Sequence, residues 1–242
     1  MKSLKNRIET MLNLVESNTQ LCIKKSRILD FGCHDGAIVN LLRNENINIS
    51  GVDLSNGKDK SFLEQHKSNH VKYAELKNYR IPYEDNSFDL IISHHVFEHV
   101  MDYETTLQEL SRVLKKNGKV LNVFPSKWRL FEAHFYTPLG GVFHNTVWCR
   151  LWALVGIKKP GKKHFSSTEY GSIANSYISD QTNYIPKQKI LTYFQKYFRH
   201  NDFLEDKYYE CLNSTKIITP LKKLYQIIIS HFHVRVILSS KE

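Results

Sequence analysis

The stretch RILDFGCHDGAIVNLL, Arg27 to Leu42, decides the fold. An apolar run enters a turn holding Gly32 and Gly36, and apolar residues then recur at helical spacing. The pattern is strand, tight turn, helix. Glycine lets the backbone of such a turn come close to a ligand, and the following helix aims its free N–H groups at the same place. The next apolar run ends ISGVDLS and sets Asp53 about 20 residues beyond Gly32, where an acid can bind both hydroxyls of a ribose. A nucleoside site is therefore expected. A dinucleotide is not, because the G-x-G-x-x-G spacing is absent and Asp35 at the helix start would repel a pyrophosphate. A carboxylate there suits a ligand carrying an amine or a sulfonium, and it also serves as an ordinary helix N-cap.

Further apolar runs at Ser26–Phe31, Ile47–Val52, His70–Ala74, Phe88–Ser93 and Gly118–Phe124 predict strands. Asp35–Arg43, Lys58–Lys67 and Tyr103–Lys116 predict helices. The last carries Leu107, Leu110, Val113 and Leu114, and it closes on KKNG, with Gly118 as the stop. Strands alternating with helices make a parallel sheet, whose ligands bind at the carboxyl ends of the strands. The loops after Phe31, Val52, Ala74 and Ser93 are thus the ones expected to hold the site.

Composition sets the bounds. With 41% hydrophobic and 24% charged residues the 242-residue chain is globular. Cys22, Cys33, Cys149 and Cys211 are scattered without a C-x-x-C pair, which argues for a reducing compartment and against a disulfide framework or a metal site. The opening MKSLKNRIETMLNLVESN lacks the apolar centre of a signal peptide, and no run reaches the roughly 18 apolar residues of a membrane span. A cytoplasmic protein is expected, with peripheral membrane contact left open. The net charge of +10 suits an anionic lipid, a phosphorylated substrate or nucleic acid, or simply solubility.

The motifs ILDFGCHDG, GVDLS, IPYEDNSFDLIISHHVFEHV and LQELSRVLKKNGKVLNVFP, in that order between Ser26 and Pro125, resemble those of class I S-adenosylmethionine-dependent methyltransferases. The type 11, small-molecule branch is the most similar. The resemblance implies an α/β, Rossmann-like, doubly wound sheet of seven mostly parallel strands with helices on both faces. It implies a final antiparallel strand, for which Asp206–Asn213 and His233–Ser240 are the candidate hairpin, preceded by a helix over Ile185–Phe198. It also implies S-adenosyl-L-methionine as cofactor. Asp30, Gly32, Cys33 and Gly36 match the loop that cradles its methionine part. His34 stands in the same loop where the family usually has glycine; histidine is among the residues that enter positive φ more readily. Asp53 matches the ribose-binding acid, Leu54 packs beside the adenine, Asn78 and Tyr79 are candidates to cap it, and Ser93 and His94 follow the fourth strand beside the sulfonium.

Methylation of a high-pKa oxygen needs a base near neutrality. The candidates are His95, Glu98 and His99 in HHVFEHV, and Glu132 and His134 in FEAHFYTP. Capping or packing of a helix is the plainer role for Glu98 and His99, and surface polarity for Glu132 and His134. The chain divides into 1–125 (N-terminal helix and cofactor half), 126–180 (an inserted helical, aromatic cap for the acceptor) and 181–242 (final helix and strand pair). The cap holds Trp128, Trp148 and Trp152 and turns basic at Lys158, Lys159, Lys162 and Lys163. Its aromatics suit a sugar ring or serve as its own core, and its lysines suit a phosphate or lipid headgroup. The expected acceptor is a small molecule, a glycan or a lipid-linked intermediate, with membrane contact through 126–165. A non-catalytic cofactor-binding relative is the alternative. RNA is disfavoured, since SHHV replaces the Asn/Asp-Pro-Pro-aromatic motif of base methylation.

Overall fold

The computed structural model describes residues 2–55, 60–66, 70–75, 79–212, 228 and 232–242. Among them β1 (Ile28–Phe31), β2 (Ile49–Leu54), β3 (Val71–Ala74), β4 (Phe88–His94) and β5 (Leu114–Pro125) run parallel. Next to β5 lies β7 (Val234–Ser240), antiparallel both to it and to the edge strand β6 (His200–Phe203). The sheet order is β3-β2-β1-β4-β5-β7-β6.

The strands read as unbroken apolar runs because both faces are covered. Ile28, Ile92, Leu121, Val123 and Val236 point to one face, where they meet α1 (Lys2–Asn18) through Ile8, Met11 and Val15, and α2 (Ala37–Arg43) through Val39 and Leu42. Their neighbours Leu29, Ile91, Val120, Phe124 and Ile237 point to the other. There they meet α4 (Tyr103–Val113) through Leu107 and Leu110, and α7 (Lys187–Phe194) through Ile190 and Phe194. The expected doubly wound architecture is the one observed.

Several expected boundaries move. The helix predicted to Lys116 ends at Val113. Leu114 turns extended (φ −78°, ψ 133°), is fully buried and pairs with Phe88, so sheet burial overrides the helix signal of KKNG. Helix α2 starts at Ala37, with Gly36 before it at φ +77° and the Asp35 carboxylate accepting the Ala37 N–H at 3.0 Å. Strand β4 runs on to His94, so Ser93 and His94 belong to the strand rather than follow it. Helix α7 is shorter than Ile185–Phe198. The helix α3 (Lys60–His66) lies within its expected span, whose remaining residues fall outside the described ones.

The candidate strand Asp206–Asn213 is overturned: residues to 212 form α8 (Glu205–Leu212), and Asn213 lies outside the described residues. Leu204, Tyr208 and Leu212 recur every four residues and pack on the same core face as α1, a helical spacing that composition alone hid. The partner of β7 is instead the short, polar β6.

Between β5 and α7 lies the inserted cap, with α5 (Thr146–Leu154) and α6 (Ser167–Gln181). Asn145 caps α5, and Ser166 with Glu169 forms a reciprocal capping box on α6. The two helices cross closely at Gly171, where a Cβ would stand 2.9 Å from the Thr146 carbonyl. Phe135, Cys149, Ala153, Tyr170 and Ala174 form a small core of their own. No helix among the described residues is long and apolar enough to cross a membrane.

Candidate active site

The turn after β1 is held open by backbone geometry. Gly32 (φ +84°), His34 (φ +52°) and Gly36 (φ +77°) are all left-handed. The Gly32 and Cys33 N–H groups donate to the Val52 carbonyl, which ties the turn to β2. The Asp53 carboxylate then accepts the His34 N–H at 2.5 Å and the Leu54 N–H at 2.6 Å. The His34 side chain is 72% exposed, so the residue that departs from glycine keeps its ring out in solvent. Cys33 is buried beneath Gly51, where a Cβ would lie 2.6 Å from its sulfur, so it offers the turn its backbone rather than its thiol.

Gly32 touches the loop after β4: a Cβ there would lie 2.2 Å from Val96 Cγ2. Gly32→Ala combines that clash with a left-handed φ, and it is expected to cost about 2–4 kcal/mol of stability, measured by urea unfolding. A loss below about 1 kcal/mol would show that the turn relaxes freely.

Asp30 lies on β1 behind the turn, 3% exposed, and its Oδ2 has no hydrogen-bond partner. Burial, with the nearby Asp53 charge adding to it, pushes its carboxyl up to about 7. His94 is held neutral, pushed down to about 3 by burial, then by His95 and Arg7. Ser93 is not a loop residue. It is 1% exposed and donates to Asn122 Oδ1 at 2.7 Å between β4 and β5. Tyr79 and Leu54 both pack against the core on its α4 face, and burial raises the Tyr79 phenol while a hydrogen bond with Thr106 opposes that. Asn78 lies outside the described residues.

Three segments converge at Glu98 and His99, just after Val96. The first is a 3-10 turn, Phe97–His99, separate from α4, whose own cap is Asp102. Glu98 and His99 therefore do not cap that helix. Glu98 is buried, 3.3 Å from His95 Nδ1 through one oxygen and without a partner on the other. The second segment carries Glu132, which is 1% exposed rather than a surface residue. It accepts from His134 Nδ1 at 2.6 Å, from the His134 and Phe135 N–H groups, and from the Tyr184 hydroxyl at 2.9 Å. The third is the end of α6 and the chain beyond it. His99 Nδ1 meets the Gln181 carbonyl at 2.6 Å, and Asn183 N–H donates to the Glu98 carbonyl at 2.6 Å. The His134 ring then stacks edge-on with His99 at 5.0 Å and packs on Tyr177 at 5.1 Å.

Burial alone would raise the Glu132 carboxyl. The hydrogen bonds from the His134 ring and the two N–H groups outweigh it, and Glu132 stays below the usual carboxylate range. Tyr184 is raised by burial and by Glu132, so it remains a donor. With Nδ1 turned to a carboxylate, His134 has Nε2 left to accept a proton.

Beyond the carboxyl end of β5 is a cavity of about 580 Å³ walled by Leu130, Phe131, Leu139, Ile228 and Phe232, with Arg129 and His233 as its polar groups. Burial holds His233 neutral, and the Arg129 and His95 charges act in the same direction. Tyr177, Tyr184, Arg129 and His233 were not among the sequence candidates. Tyr177 and Tyr184 reach Glu132 and His134 by contacts distant in the chain, which no local pattern marks.

A family model described as a methyltransferase domain matches residues 29–122. Over 163 residues the chain is 28% identical to an uncharacterized protein of Methanocaldococcus jannaschii, covering 63% of this chain and 68% of that one. Over 131 residues it is 28% identical to a ubiquinone biosynthesis O-methyltransferase of Coxiella burnetii, covering 51% of this chain. The match spans 53%, about half, of that relative's length. The crystal structure of an S-adenosylmethionine dependent methyltransferase from Mesorhizobium loti superposes with a TM-score of 0.54 at 12% identity, covering 96% of this chain and 98% of that one, a likeness of fold. The ordered motifs, the sheet order and the matched residues 29–122 make this part of the chain a methyltransferase domain, and the chain as a whole shares the fold of S-adenosylmethionine dependent methyltransferases.

Proposed function

We propose that this chain transfers the methyl group of S-adenosylmethionine to a hydroxyl oxygen of a small-molecule acceptor, with His134 as the base. The observation that carries this reading is the buried Glu132 carboxylate, 2.6 Å from His134 Nδ1, with the His134 ring against His99, three residues along the chain from the Val96 that meets Gly32. A histidine oriented through one nitrogen and open at the other is the arrangement a general base needs. The presence of that pair favours turnover over a binding-only relative.

The residues around the turn fit the cofactor. The left-handed backbone of Gly32 and Gly36 suits a close-lying ligand, and the unpartnered Asp30 Oδ2 suits an ammonium group. Asp53 ends β2 beside the turn, with its carboxylate fastening the His34 and Leu54 N–H groups, the place where a ribose-binding acid would stand. Leu54 and Tyr79 would flank the base, and a neutral His94 sets no positive charge against a sulfonium. When bound, the cofactor supplies an electrophilic methyl group. His134 takes the acceptor's proton on Nε2, while Glu132, itself positioned by the Tyr184 hydroxyl, holds the imidazole and balances the charge it gains.

Asp30 makes cofactor affinity pH-dependent. Its folded-state pKa is raised, so in the free protein the carboxyl is largely protonated below pH 7, and ionising it costs stability as pH rises from about 4 to about 7. An ammonium ligand selects the ionised form. Affinity measured by calorimetry is therefore expected to rise roughly tenfold per unit from pH 5 towards 7 and then level off. Asp30→Asn should flatten the profile. A flat profile in the wild type would remove Asp30 from the site.

The apolar walls of the cavity favour an acceptor with a hydrocarbon part, a lipid-linked intermediate over a free glycan, since sugar hydroxyls would find few partners there. Peripheral membrane contact through 126–165 belongs with such an acceptor. The test is incubation with methyl-labelled cofactor and host extract, split into lipid and aqueous fractions, followed by mass spectrometry of labelled products. Label on an oxygen in the lipid fraction is expected. Label on nitrogen or carbon would overturn the base assignment, and label only in aqueous products would overturn the lipid-linked acceptor.

A further inference from the structure

Helix α5 turns Cys149 and Ala153 inward against α6 and leaves its outer side aliphatic. Val147, Leu151, Leu154 and Val155 are between 53% and 69% exposed. They recur at helical spacing and so form one stripe. A helix at a water-facing surface carries charged residues on its outer side, so a continuous aliphatic stripe marks a contact surface.

The charge around the stripe identifies the occupant. Between Ser126 and Ser166 the chain has seven lysines and arginines and a single carboxylate. That carboxylate, Glu132, is buried and engaged by His134, Phe135 and Tyr184, so it neutralises nothing at the surface. Arg150, on the same helix, and Lys163, just beyond it, are exposed. A second copy covering the stripe with its own stripe would bring two basic rims together, which like-charge repulsion opposes. An anionic bilayer meets both requirements at once, hydrocarbon for the stripe and negative headgroups for the rim.

We propose that the outer face of α5 and the basic turn after it dock on an anionic lipid surface. The cavity wall is tied to this helix, since Leu139 accepts the Phe143 N–H and the Pro138 carbonyl next to it accepts from Trp148 Nε1 of α5 at 2.8 Å. Docking there sets the acceptor cavity's own loop at the lipid surface. The purpose of the docking rests on the lipid-linked reading of the acceptor, but vesicle binding needs neither cofactor nor acceptor, so either can fail without the other.

The test is flotation of the full chain with vesicles of phosphatidylcholine alone or mixed with phosphatidylglycerol, at low and high salt. At low salt, binding to the mixed vesicles is expected to exceed binding to phosphatidylcholine by at least ~10-fold and to fall as salt rises. The double variant Leu151→Glu/Leu154→Glu, with its fold checked by circular dichroism, should lose at least ~10-fold of that binding. Arg150→Glu/Lys163→Glu, both at exposed positions, should weaken binding to the anionic vesicles alone. The proposal is overturned if the chain does not float with anionic vesicles, or if neither variant changes flotation. It is equally overturned if light scattering shows a dimer that the leucine variants split while vesicle binding is absent.

Discussion

Asp53→Ala is expected to weaken cofactor binding by at least about 100-fold. The carboxylate has two duties. It accepts the N–H groups of His34 and Leu54, and so fastens a left-handed turn to the end of β2. In the proposed complex it also binds the ribose hydroxyls. Hydrogen bonds to a charged group contribute about 1.5–3 kcal/mol each, so losing two from the ligand alone removes roughly 3–6 kcal/mol. Loosening of the turn adds to that. Every 1.4 kcal/mol is about tenfold in affinity, which places the expected loss at two orders of magnitude or more. Calorimetry with S-adenosylhomocysteine measures it, with circular dichroism as the check on fold. An affinity within about threefold of wild type would mean that the turn after β1 is not the nucleoside site.

The second large effect is on turnover. His134→Ala should lower kcat about 10²–10⁴-fold, the range general bases contribute, with cofactor affinity unchanged. The two readouts separate because His134 belongs to the cap segment, held by Glu132 and packed on Tyr177, whereas the turn is built from β1 and β2. Glu132→Gln tests the orienting role. It keeps the side chain's size but removes the charge that faces Nδ1, and it should lower kcat in the same direction with little change in KM. If His134→Ala leaves kcat intact, the base is another group, and His95 beside buried Glu98 is the next candidate to vary.

What the sequence revealed follows from how local each signal is. The run from Arg27 to Leu42 was legible because a strand, a left-handed glycine turn and a helix each leave a short-range mark. Asp53 was legible because the next parallel strand fixes where its carboxyl end lies. The end of α4 was not, since LKKNG has a helix stop in plain view while Leu114 is drawn into the sheet by pairing with Phe88, a contact distant in the chain. Helix α8 was misread as a strand because DKYYECLN is strand-like in composition. Its helical spacing appears only when Leu204 is counted with Tyr208 and Leu212. The edge strand HNDF has no apolar pattern at all, since an edge that is half exposed does not need one.

The site divides in the same way. Asp30, Gly32, Gly36 and Asp53 stand where the motifs put them, around one turn. Ser93 matched a motif position but points between strands and bonds to Asn122, which no single-strand pattern could reveal. Glu132 and His134 were visible as residue types, yet their pairing depends on the 131–138 loop folding back on itself through the Phe131–Pro138 bridge. Tyr184, which completes the carboxylate's shell, lies 52 residues further along, and nothing in its neighbours marks it.

The most direct test of the central claim is the yield of S-adenosylhomocysteine when the purified chain is given S-adenosylmethionine and a lipid-extracted acceptor fraction. The expected result is S-adenosylhomocysteine formed in step with a methylated product by the wild type, and at least about 100-fold more slowly by His134→Ala at equal cofactor occupancy. Tight cofactor binding with no S-adenosylhomocysteine formed on any acceptor fraction would contradict it, and would make the chain a cofactor-binding protein rather than an enzyme.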